Sequence, residues 1–360
     1  MFFAHRQSPA QQSAAGYGVG FEWDSDLLAG YRHHFLKNIA KPPGTNRFLG
    51  CDTPEIAQLI VPKAFDVVLV TGWHLKSYWQ ALWACRRQGI PIVVRGDSQL
   101  GTPRGPVKRL VKELLYPLLL RTFNGALFVG QRNREYLTHY GVEAERLFFS
   151  PHCVDTREFA GRAEFEQRQA IRASWGVPAS GSVALFVGRF LPFKRPSDVV
   201  LALQLLKNQG ADVLGVFAGA GELRPELEAM GLSLGVPLIF LGFCNQSKLP
   251  AVYAAADVLV LPSSGQETWG LVVNEALACG TPCAVSDACG CGPDMIVDGI
   301  TGKVFPAGDV PALVSAIAQC ILIPRESSAI RAHSERYSVA AAATGVLHAC
   351  NSLLSKVPGE

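Results

Sequence analysis

The 360-residue sequence lacks an apolar run long enough to cross a bilayer, which takes about 20 residues, so it predicts no membrane-spanning helix. It also lacks a large excess of charge of either sign, because the net charge at pH 7 is only +3. That balance gives no argument for a nucleic-acid partner. Charged residues make up 18% of the chain and apolar residues 49%, which excludes a disordered protein. The length allows two domains, each with a full core.

The first seven residues lack the basic-then-apolar pattern of a secretory signal peptide. We therefore expect a cytoplasmic protein whose ten cysteines are reduced thiols. Four of these cysteines lie close together in the sequence: Cys279, Cys283, Cys289 and Cys291. Their spacing is not a pair of C-x-x-C motifs, which favours buried packing residues over a zinc site, although both interpretations stay open.

Short apolar runs alternate with helical patterns in the first half, which predicts a parallel, doubly wound α/β sheet. The predicted strands are Phe2–Ala4, Val67–Val70, Ile92–Val94, Ala126–Val129 and Leu147–Phe149. The predicted helices include Leu75–Gln88, Pro106–Thr122 and Gln131–Tyr140. In such sheets ligands bind beyond the carboxyl ends of the strands. The residues that follow these strands are therefore cleft candidates: His5, Arg6, Gln7, Trp73, His74, Arg95, Gly96, Asp97, Gly130, Gln131 and His152.

A carboxylate stands at one of these strand ends, in the sequence Arg95-Gly96-Asp97 directly after the strand Ile92–Val94. We expect Asp97 to face the cleft, where it could receive a hydroxyl proton or support positive charge at a reacting carbon. The alternative is a turn aspartate whose carboxylate accepts a hydrogen bond from its own backbone.

The second half restarts with a predicted strand at Ser182–Val187 and a basic, Gly-containing loop. Arg189 and Lys194 lie in that loop, at the carboxyl end of the strand. An arginine can pair with phosphate oxygens through two parallel bonds, and a lysine supplies a point charge. The pair is a candidate diphosphate site; the alternative is two solvated loop cations.

Two further strand ends in this half carry candidate ligand contacts. Gly219 and Gly221 follow the apolar run 213–218, but a dinucleotide fingerprint needs a third glycine where the chain has Arg224, so that fingerprint fails. Two glycines still allow a ligand to approach the backbone closely. Phe243 ends the next strand, and we predict that the backbone around it holds a nucleotide base.

The stretch from Ser263 to Pro282 predicts a loop and then a helix, Leu271–Cys279, after a buried strand. The first amides of that helix, at Trp269, Gly270 and Leu271, lack helical partners and can bind an anion. Glu267 in the loop and Glu275 in the helix can accept protons from ribose or sugar hydroxyls. Phosphate-binding amides beside two carboxylates predict a nucleotide-sugar pocket.

The pattern of Glu267, seven residues, Glu275 and then A-L-A-C-G-T-P resembles the signature of the family 4 retaining glycosyltransferases. The G-R-x-x-x-x-K run at 188–194 is similar to that family as well. The resemblance implies the GT-B fold, with two doubly wound Rossmann-like domains facing a cleft. We place an acceptor-binding domain at 1–165, a donor-binding domain at 166–325, and a segment at 326–360 that crosses back. The charged run 156–176 is predicted to be an exposed helical connection.

This resemblance implies transfer of a sugar from a nucleoside diphosphate to an acceptor hydroxyl with retention of configuration. It implies no metal and no cofactor, and a role in cell-surface polysaccharide, lipopolysaccharide or glycolipid synthesis. Asp97 and Glu267 are the predicted catalytic residues. The predicted donor-binding residues are Arg189, Lys194, Gly219, Gly221, Phe243, Trp269, Gly270, Leu271 and Glu275. No side chain stands out as a nucleophile, which favours front-side attack over a covalent intermediate.

The sequence departs from the family pattern at two places. Arg95-Gly96-Asp97 stands where the family often has a histidine, and the N-terminal strand is short, with only the Gly-rich 16–20 after it. Other activities on the same fold therefore stay open: a nucleotide-sugar 2-epimerase, a phosphorylase, or a non-catalytic nucleotide-sugar binding protein. Asp24-Ser25-Asp26 matches a metal motif of a different glycosyltransferase fold, but a helix cap is the favoured interpretation.

A basic amphipathic helix is predicted between 102 and 121. Its cations are Arg104, Lys108, Arg109, Lys112 and Arg121, with leucines between them, and the first four are the predicted membrane contacts. One interpretation is a helix that lies on the anionic inner face of the cytoplasmic membrane. The other is an ordinary domain helix with a solvated face.

Overall fold

The computed structural model describes residues 1–6, 26, 28–163, 165–178, 180–325 and 327–355. The β-strands are β1 Phe2–Phe3, β2 His34–Phe35, β3 Val68–Val70, β4 Ile92–Arg95, β5 Gly125–Phe128, β6 Leu147–Phe149, β7 Ser182–Val187, β8 Val213–Ala218, β9 Leu238–Gly242, β10 Val258–Leu261, β11 Cys283–Ser286 and β12 Gly302–Phe305. The α-helices are α1 Ile56–Leu59, α2 Lys76–Gln88, α3 Pro106–Leu120, α4 Gln131–His139, α5 Thr156–Gly161, α6 Phe165–Ser174, α7 Pro196–Asn208, α8 Arg224–Leu234, α9 Leu249–Ala255, α10 Leu271–Ala278, α11 Gly292–Met295, α12 Val310–Ile321, α13 Ser328–Glu335 and α14 Val339–Leu354.

The first sheet has four parallel strands in the order β3-β4-β5-β6. Ile92, Val93 and Val94 of β4 are fully buried, as expected for a parallel strand covered on both faces. The strand predicted at Phe2–Ala4 forms as β1, but it pairs with β2 and not with this sheet. Each of the two strands of that small sheet is two residues long.

The second sheet has six parallel strands in the order β12-β11-β10-β7-β8-β9. From the centre of the sheet, β7, β8 and β9 follow one another toward one edge, and β10, β11 and β12 follow one another toward the opposite edge. Strands β7 and β10 are therefore neighbours, and their loops diverge to opposite sides of the sheet. Such a switch point is where open α/β sheets bind ligands, at the carboxyl ends of the strands.

Each sheet has its own apolar core. We call the first sheet with its helices the N-terminal lobe, residues 28–149, and the second the C-terminal lobe, residues 182–335. Helix α14 lies against β5 and β6 of the N-terminal lobe, where Ala349 and Leu353 pack on Leu127 and Phe148. The chain thus passes between the lobes near Val154 and again near Ser338, and these two residues form a parallel bridge. The limits given above for the domains, 165 and 325, stay predictions.

The charged connection between the lobes is not exposed throughout, which corrects the prediction for 156–176. Arg172 of α6 is 8% exposed, and its guanidinium bonds Asp257 at 2.8 Å and the carbonyl of Gly181 at 2.7 Å. Arg168 and Arg325 reach the same carboxylate, each at 3.3 Å. One largely buried aspartate therefore pairs with cations from two distant segments, which charge pattern alone does not indicate.

Replacing Asp257 by alanine should lower the free energy of unfolding by about 3–5 kcal/mol, because three largely buried guanidiniums would lose their common partner. Urea unfolding followed by circular dichroism measures the change. Glu158→Ala is the matched control, since Glu158 pairs with Arg162 on an exposed helix face and such pairs contribute at most about 0.5 kcal/mol. Equal effects of the two substitutions would contradict the structural role of Asp257.

Candidate active site

The loop after β7 positions two cations at the switch point. Gly188 has φ +150°, and the chain then forms a short 3₁₀ turn, Pro192–Lys194, before α7 starts at Pro196. Arg195 between them takes the left-handed conformation, with φ +53°. Its guanidinium pairs with Asp198 of α7, which stabilises that turn. Arg189 and Lys194 are thereby left at the edge of the sheet.

The loop after β10 faces this turn and is joined to it. The amide of Ser264 donates to the carbonyl of Phe193 at 2.8 Å. Lys194 Nζ bonds Glu267 Oε2, and Ser263 Oγ donates to the same carboxylate oxygen at 3.2 Å. The side chains of Lys194 and Glu267 are 15% and 13% exposed, so the two charges neutralise each other in a largely buried pair.

Helix α10 begins immediately after this loop, at Leu271. Gly270 before it has φ +107°, and a Cβ there would lie 2.6 Å from the Leu261 side chain, so both conformation and space require glycine. The first residues of α10 line the same space as Lys194, and amides at a helix start lack partners within the helix. An anion would be stabilised there by these amides and by the helix dipole.

Glu275 lies one turn further along α10, at the inner end of the space. Its Oε2 accepts a hydrogen bond from the Tyr253 hydroxyl at 2.6 Å. Burial raises the pKa of the Glu275 carboxyl to about 7, although the Tyr253 bond acts in the opposite direction. The carboxyl can therefore be neutral or charged near physiological pH, and either form can bond a hydroxyl.

Asp97 reaches the same space from the N-terminal lobe. Its Oδ2 accepts from Thr268 Oγ1 at 2.8 Å and lies 3.9 Å from His152 Nε2. These contacts, with that of His152 the largest, lower the pKa of Asp97, so the group is a carboxylate at neutral pH. Arg95 does not face the cleft, because its guanidinium donates to the carbonyls of Ser150 and Pro151 just before His152.

These groups surround one cavity of about 380 Å³, a size suited to a small organic ligand. Ten of the eleven predicted site residues line it: Asp97, Arg189, Lys194, Gly219, Phe243, Glu267, Trp269, Gly270, Leu271 and Glu275. The lining also includes His152, a cleft candidate, and Thr268, which sequence reasoning missed. Trp269 lies in the wall with its indole N–H bonded to Asn274, whose amide in turn reaches the carbonyl of His152.

Gly221 is the predicted site residue that does not line the cavity. A Cβ at Gly221 would lie 2.5 Å from the carbonyl oxygen of Phe190, and one at Gly219 only 1.9 Å from that of Gly188. Both positions also have φ near +150°, at +145° for Gly219 and +159° for Gly221. The close approach that requires glycine here is therefore between two segments of the chain.

Among the described residues, the structure does not bring the other cleft candidates to the cavity. Trp73 packs on Tyr116 and Phe123, and His74 packs on Tyr78. Gln131 contacts Asp294 across the lobes, and its backbone N–H donates to that carboxylate at 2.9 Å. Gln7, Asp24, Ser25 and the glycines at 16–20 lie outside the described residues. Asp26 accepts from the amide of Leu28 in a turn and not at a helix start.

The clustered cysteines are core residues beneath this site. Cys279, Cys283, Cys289 and Cys291 are each at most 4% exposed, and burial raises the pKa of all four thiols. Cys289 Sγ donates to the carbonyls of Leu261 and Ser263, which supports the floor of the loop. Within the described ranges, no three His, Cys, Asp or Glu side chains come together as metal ligands.

Residues 167–336, which carry most of this cavity, match the family model of the glycosyl transferases group 1. This stretch belongs to the group 1 glycosyl transferases. A D-inositol 3-phosphate glycosyltransferase of Geodermatophilus obscurus is 36% identical over 219 residues, which are 57% of this chain and 47% of that protein. The one of Corynebacterium aurimucosum is 28% identical over 289 residues, 76% of this chain and 66% of that protein. The chain spans about half the length of the first of these relatives.

Solved structures extend the likeness in fold to both lobes of the chain. Anabaena HepE, crystallised with UDP and glucose, superposes with a TM-score of 0.68 at 21% identity, over 89% of this chain and 86% of HepE. The lipopolysaccharide outer core galactosyltransferase WaaB superposes with a TM-score of 0.64 at 18% identity, over 84% of this chain and 79% of WaaB. The predicted GT-B fold is thus confirmed.

The Glu275 carboxyl should make stability depend on pH. Its pKa of about 7 lies above the ordinary 4.5, so the folded chain binds more protons between these values and stability falls as pH rises through them. Glu275→Gln lacks this titration. The unfolding free energy of the variant minus that of the wild type should therefore rise by about 3 kcal/mol from pH 4.5 to pH 8. Urea unfolding across this range tests it, and a constant difference would contradict the burial of an ionisable Glu275.

Proposed function

We propose that this chain is a retaining, metal-independent glycosyltransferase that moves a hexose from a nucleoside diphosphate to an acceptor hydroxyl. The observation that carries the proposal is the composition of one cavity at the switch point. Arg189, Lys194 and the first amides of α10 suit a diphosphate, while Glu267 and Glu275 suit sugar and ribose hydroxyls. A site for phosphate alone would not need the two carboxylates.

The reaction would create charge in two places, and the cavity has a group for each. Departure of the diphosphate leaves negative charge near Arg189 and the α10 amides, and fixed donors of this kind lower such a barrier by about 3 kcal/mol each. Positive charge develops on the sugar carbon, within reach of the carboxylates of Asp97 and Glu267. Because cationic side chains already serve the diphosphate, the proposed mechanism uses no metal ion.

Retention would follow from front-side attack. The acceptor hydroxyl would enter from the N-terminal lobe, beside Asp97 and His152, on the face from which the diphosphate leaves. Glu267 is already bonded to Lys194 and Ser263, which suits a residue that orients hydroxyls better than one that attacks carbon. Trapping of a covalent glycosyl-enzyme on Glu267 or Asp97 would contradict this mechanism.

UDP is the first donor nucleotide to test, because HepE was crystallised with UDP and glucose. The acceptor is proposed to belong to cell-surface polysaccharide, lipopolysaccharide or glycolipid synthesis at the cytoplasmic face of the membrane. WaaB, with a similar fold, is a lipopolysaccharide outer core galactosyltransferase. The curated relatives act, by name, on D-inositol 3-phosphate, so a free phosphorylated polyol is the alternative acceptor.

Helix α3 supports a peripheral membrane contact. It turns an apolar stripe outward, with Val107, Leu110, Leu114 and Leu118 each more than 60% exposed. Lys108 and Arg109 are exposed beside this stripe. No helix within the described ranges is long and apolar enough to span a bilayer. We propose that the α3 stripe rests in the interface of an anionic membrane.

The other two cations predicted to contact the membrane have partners inside the protein. Lys112 Nζ donates to the Tyr136 hydroxyl at 2.9 Å, and burial lowers the Lys112 pKa to about 8. Arg104 donates to the carbonyls of Gln99 and Thr102. The proposed membrane contact therefore relies on Lys108 and Arg109 for charge.

The donor site predicts a specific ligand response. One nucleoside diphosphate from a panel of UDP, GDP and ADP should raise the melting temperature, also in EDTA, because a ligand at a hundred times its Kd adds about 2.7 kcal/mol. Arg189→Ala and Glu275→Ala should each reduce this shift. Arg224→Ala is the control, since Arg224 pairs with Glu228 on an exposed helix face away from the cavity.

Turnover separates the alternatives to transfer. Sugar transfer requires an acceptor and gives a product of unchanged anomeric configuration, which NMR shows directly. Conversion of the donor without any acceptor would indicate the epimerase, and dependence on free phosphate the phosphorylase. Binding of the diphosphate with no turnover of any donor would indicate a binding protein. If no nucleotide raises the melting temperature, the proposed donor site is wrong.

The α3 stripe predicts binding to vesicles. Leu110→Ser combined with Leu114→Ser should weaken binding to phosphatidylglycerol vesicles at least about tenfold. Each leucine that becomes buried in the membrane interface contributes about 1.5–3 kcal/mol. Sedimentation of the protein with vesicles measures this. Leu232→Ser with Leu322→Ser is the matched control, since both leucines are more than 80% exposed elsewhere on the surface. Equal losses for both pairs would contradict a specific contact through α3.

A further inference from the structure

Gln99 is a fully buried polar residue that joins the two lobes. It lies two residues beyond Asp97, in the loop after β4, and is only 1% exposed. Its Nε2 donates to the carbonyl of Glu267 at 3.0 Å, and the carbonyls of Gly265 and Ala288 lie at 3.4 Å. Its Oε1 accepts from Arg132 at 3.3 Å. A side chain of the N-terminal lobe therefore binds the backbone of the loop that carries Glu267.

Two further contacts fix the same loop against the N-terminal lobe. Thr268 Oγ1 donates to Asp97 at 2.8 Å, one residue beyond Glu267. A Cβ at Gly265 would lie 2.7 Å from the carbonyl oxygen of Gly101, so the two segments approach without room for a side chain. The loop at 265–268 thus lies directly on residues 97–101, with Gln99 at the centre of the contact.

The Glu267 carbonyl is one of the points at which the two lobes meet. It also accepts from the amide of Gly290, at 3.0 Å, within the C-terminal lobe. Separating the lobes would take the Gln99 amide from its three carbonyl acceptors and replace these bonds by bonds to water. Without the Gln99 amide, the Glu267 carbonyl would keep its bond to the Gly290 amide but lose its bond to the N-terminal lobe, so the peptide that carries the carboxylate would be held less firmly.

We propose that Gln99 is a positioning residue, which sets the orientation of Glu267 so that the sugar end of the donor cavity takes its shape only when the N-terminal lobe is seated. This rests on the proposed function, in which Glu267 binds sugar hydroxyls. The diphosphate end depends less on Gln99, because Arg189 and the α10 amides belong to the C-terminal lobe alone. Loss of Gln99 should therefore affect a nucleotide sugar more than the free nucleotide.

The first test needs no ligand. Gln99→Met keeps the length and apolar packing of the side chain but removes its amide. Hydrogen–deuterium exchange of the full chain should become at least about fivefold faster in the peptide covering 264–270, as expected when one hydrogen bond of about 1 kcal/mol is lost. Gln80→Met is the matched control, since the Gln80 amide bonds Asp52 and Thr53 within the N-terminal lobe. Unchanged exchange in Gln99→Met would overturn the proposal.

The second test separates the two ends of the cavity by calorimetry with UDP and UDP-glucose. Gln99→Met should leave the Kd for UDP within about twofold and raise the Kd for UDP-glucose about tenfold. Equal losses for both ligands would overturn the positioning role, because they would indicate general damage to the cavity. If the wild type binds neither ligand while the exchange result holds, the proposed donor fails and the role of Gln99 in fixing the loop stands.

Discussion

Strands β7 and β10 lie side by side in the second sheet, with Leu185 opposite Leu259, although a long stretch of chain separates them. Both residues are completely buried, so a shift of register would disrupt close packing on both covered faces of the sheet and is disfavoured. The loops that follow the two strands therefore start at the same edge of the sheet. The pairing of Lys194 with Glu267, the position of the start of α10 and the whole cavity depend on this one alignment.

Much of this arrangement could be predicted because it is local in sequence. Buried parallel strands are continuous apolar runs, and 182–187 was assigned residue for residue. Gly270 and Gly280 delimit α10, so the eight-residue spacing of Glu267 and Glu275 fixes one carboxylate before the helix and one inside it. Polar residues at strand ends then had to face a common cleft. Asp97 lines the cavity for that reason, although its partner Thr268 lies in the other lobe.

The features that sequence reasoning missed depend on contacts between distant segments. A charged helix predicts exposure, but Arg172 is buried because Asp257 and the carbonyl of Gly181 happen to meet it. Gln99 looks like an ordinary loop glutamine until Gly265 and Glu267 are placed against it. Tyr253 is fully buried, and only the packing of α9 beside α10 brings its hydroxyl to Glu275. No spacing rule connects such partners, since the sheet order decides which of them become neighbours.

The bridge between Val154 and Ser338 joins the two places at which the chain passes from one lobe to the other. A single crossing would act as a swivel, about which the lobes could twist freely. Two crossings held side by side act as a hinge with a single axis, which resists twisting of one lobe against the other. Asp97 and Glu267 lie on different lobes, and the paired crossings therefore restrict the mutual orientations that these two carboxylates can adopt.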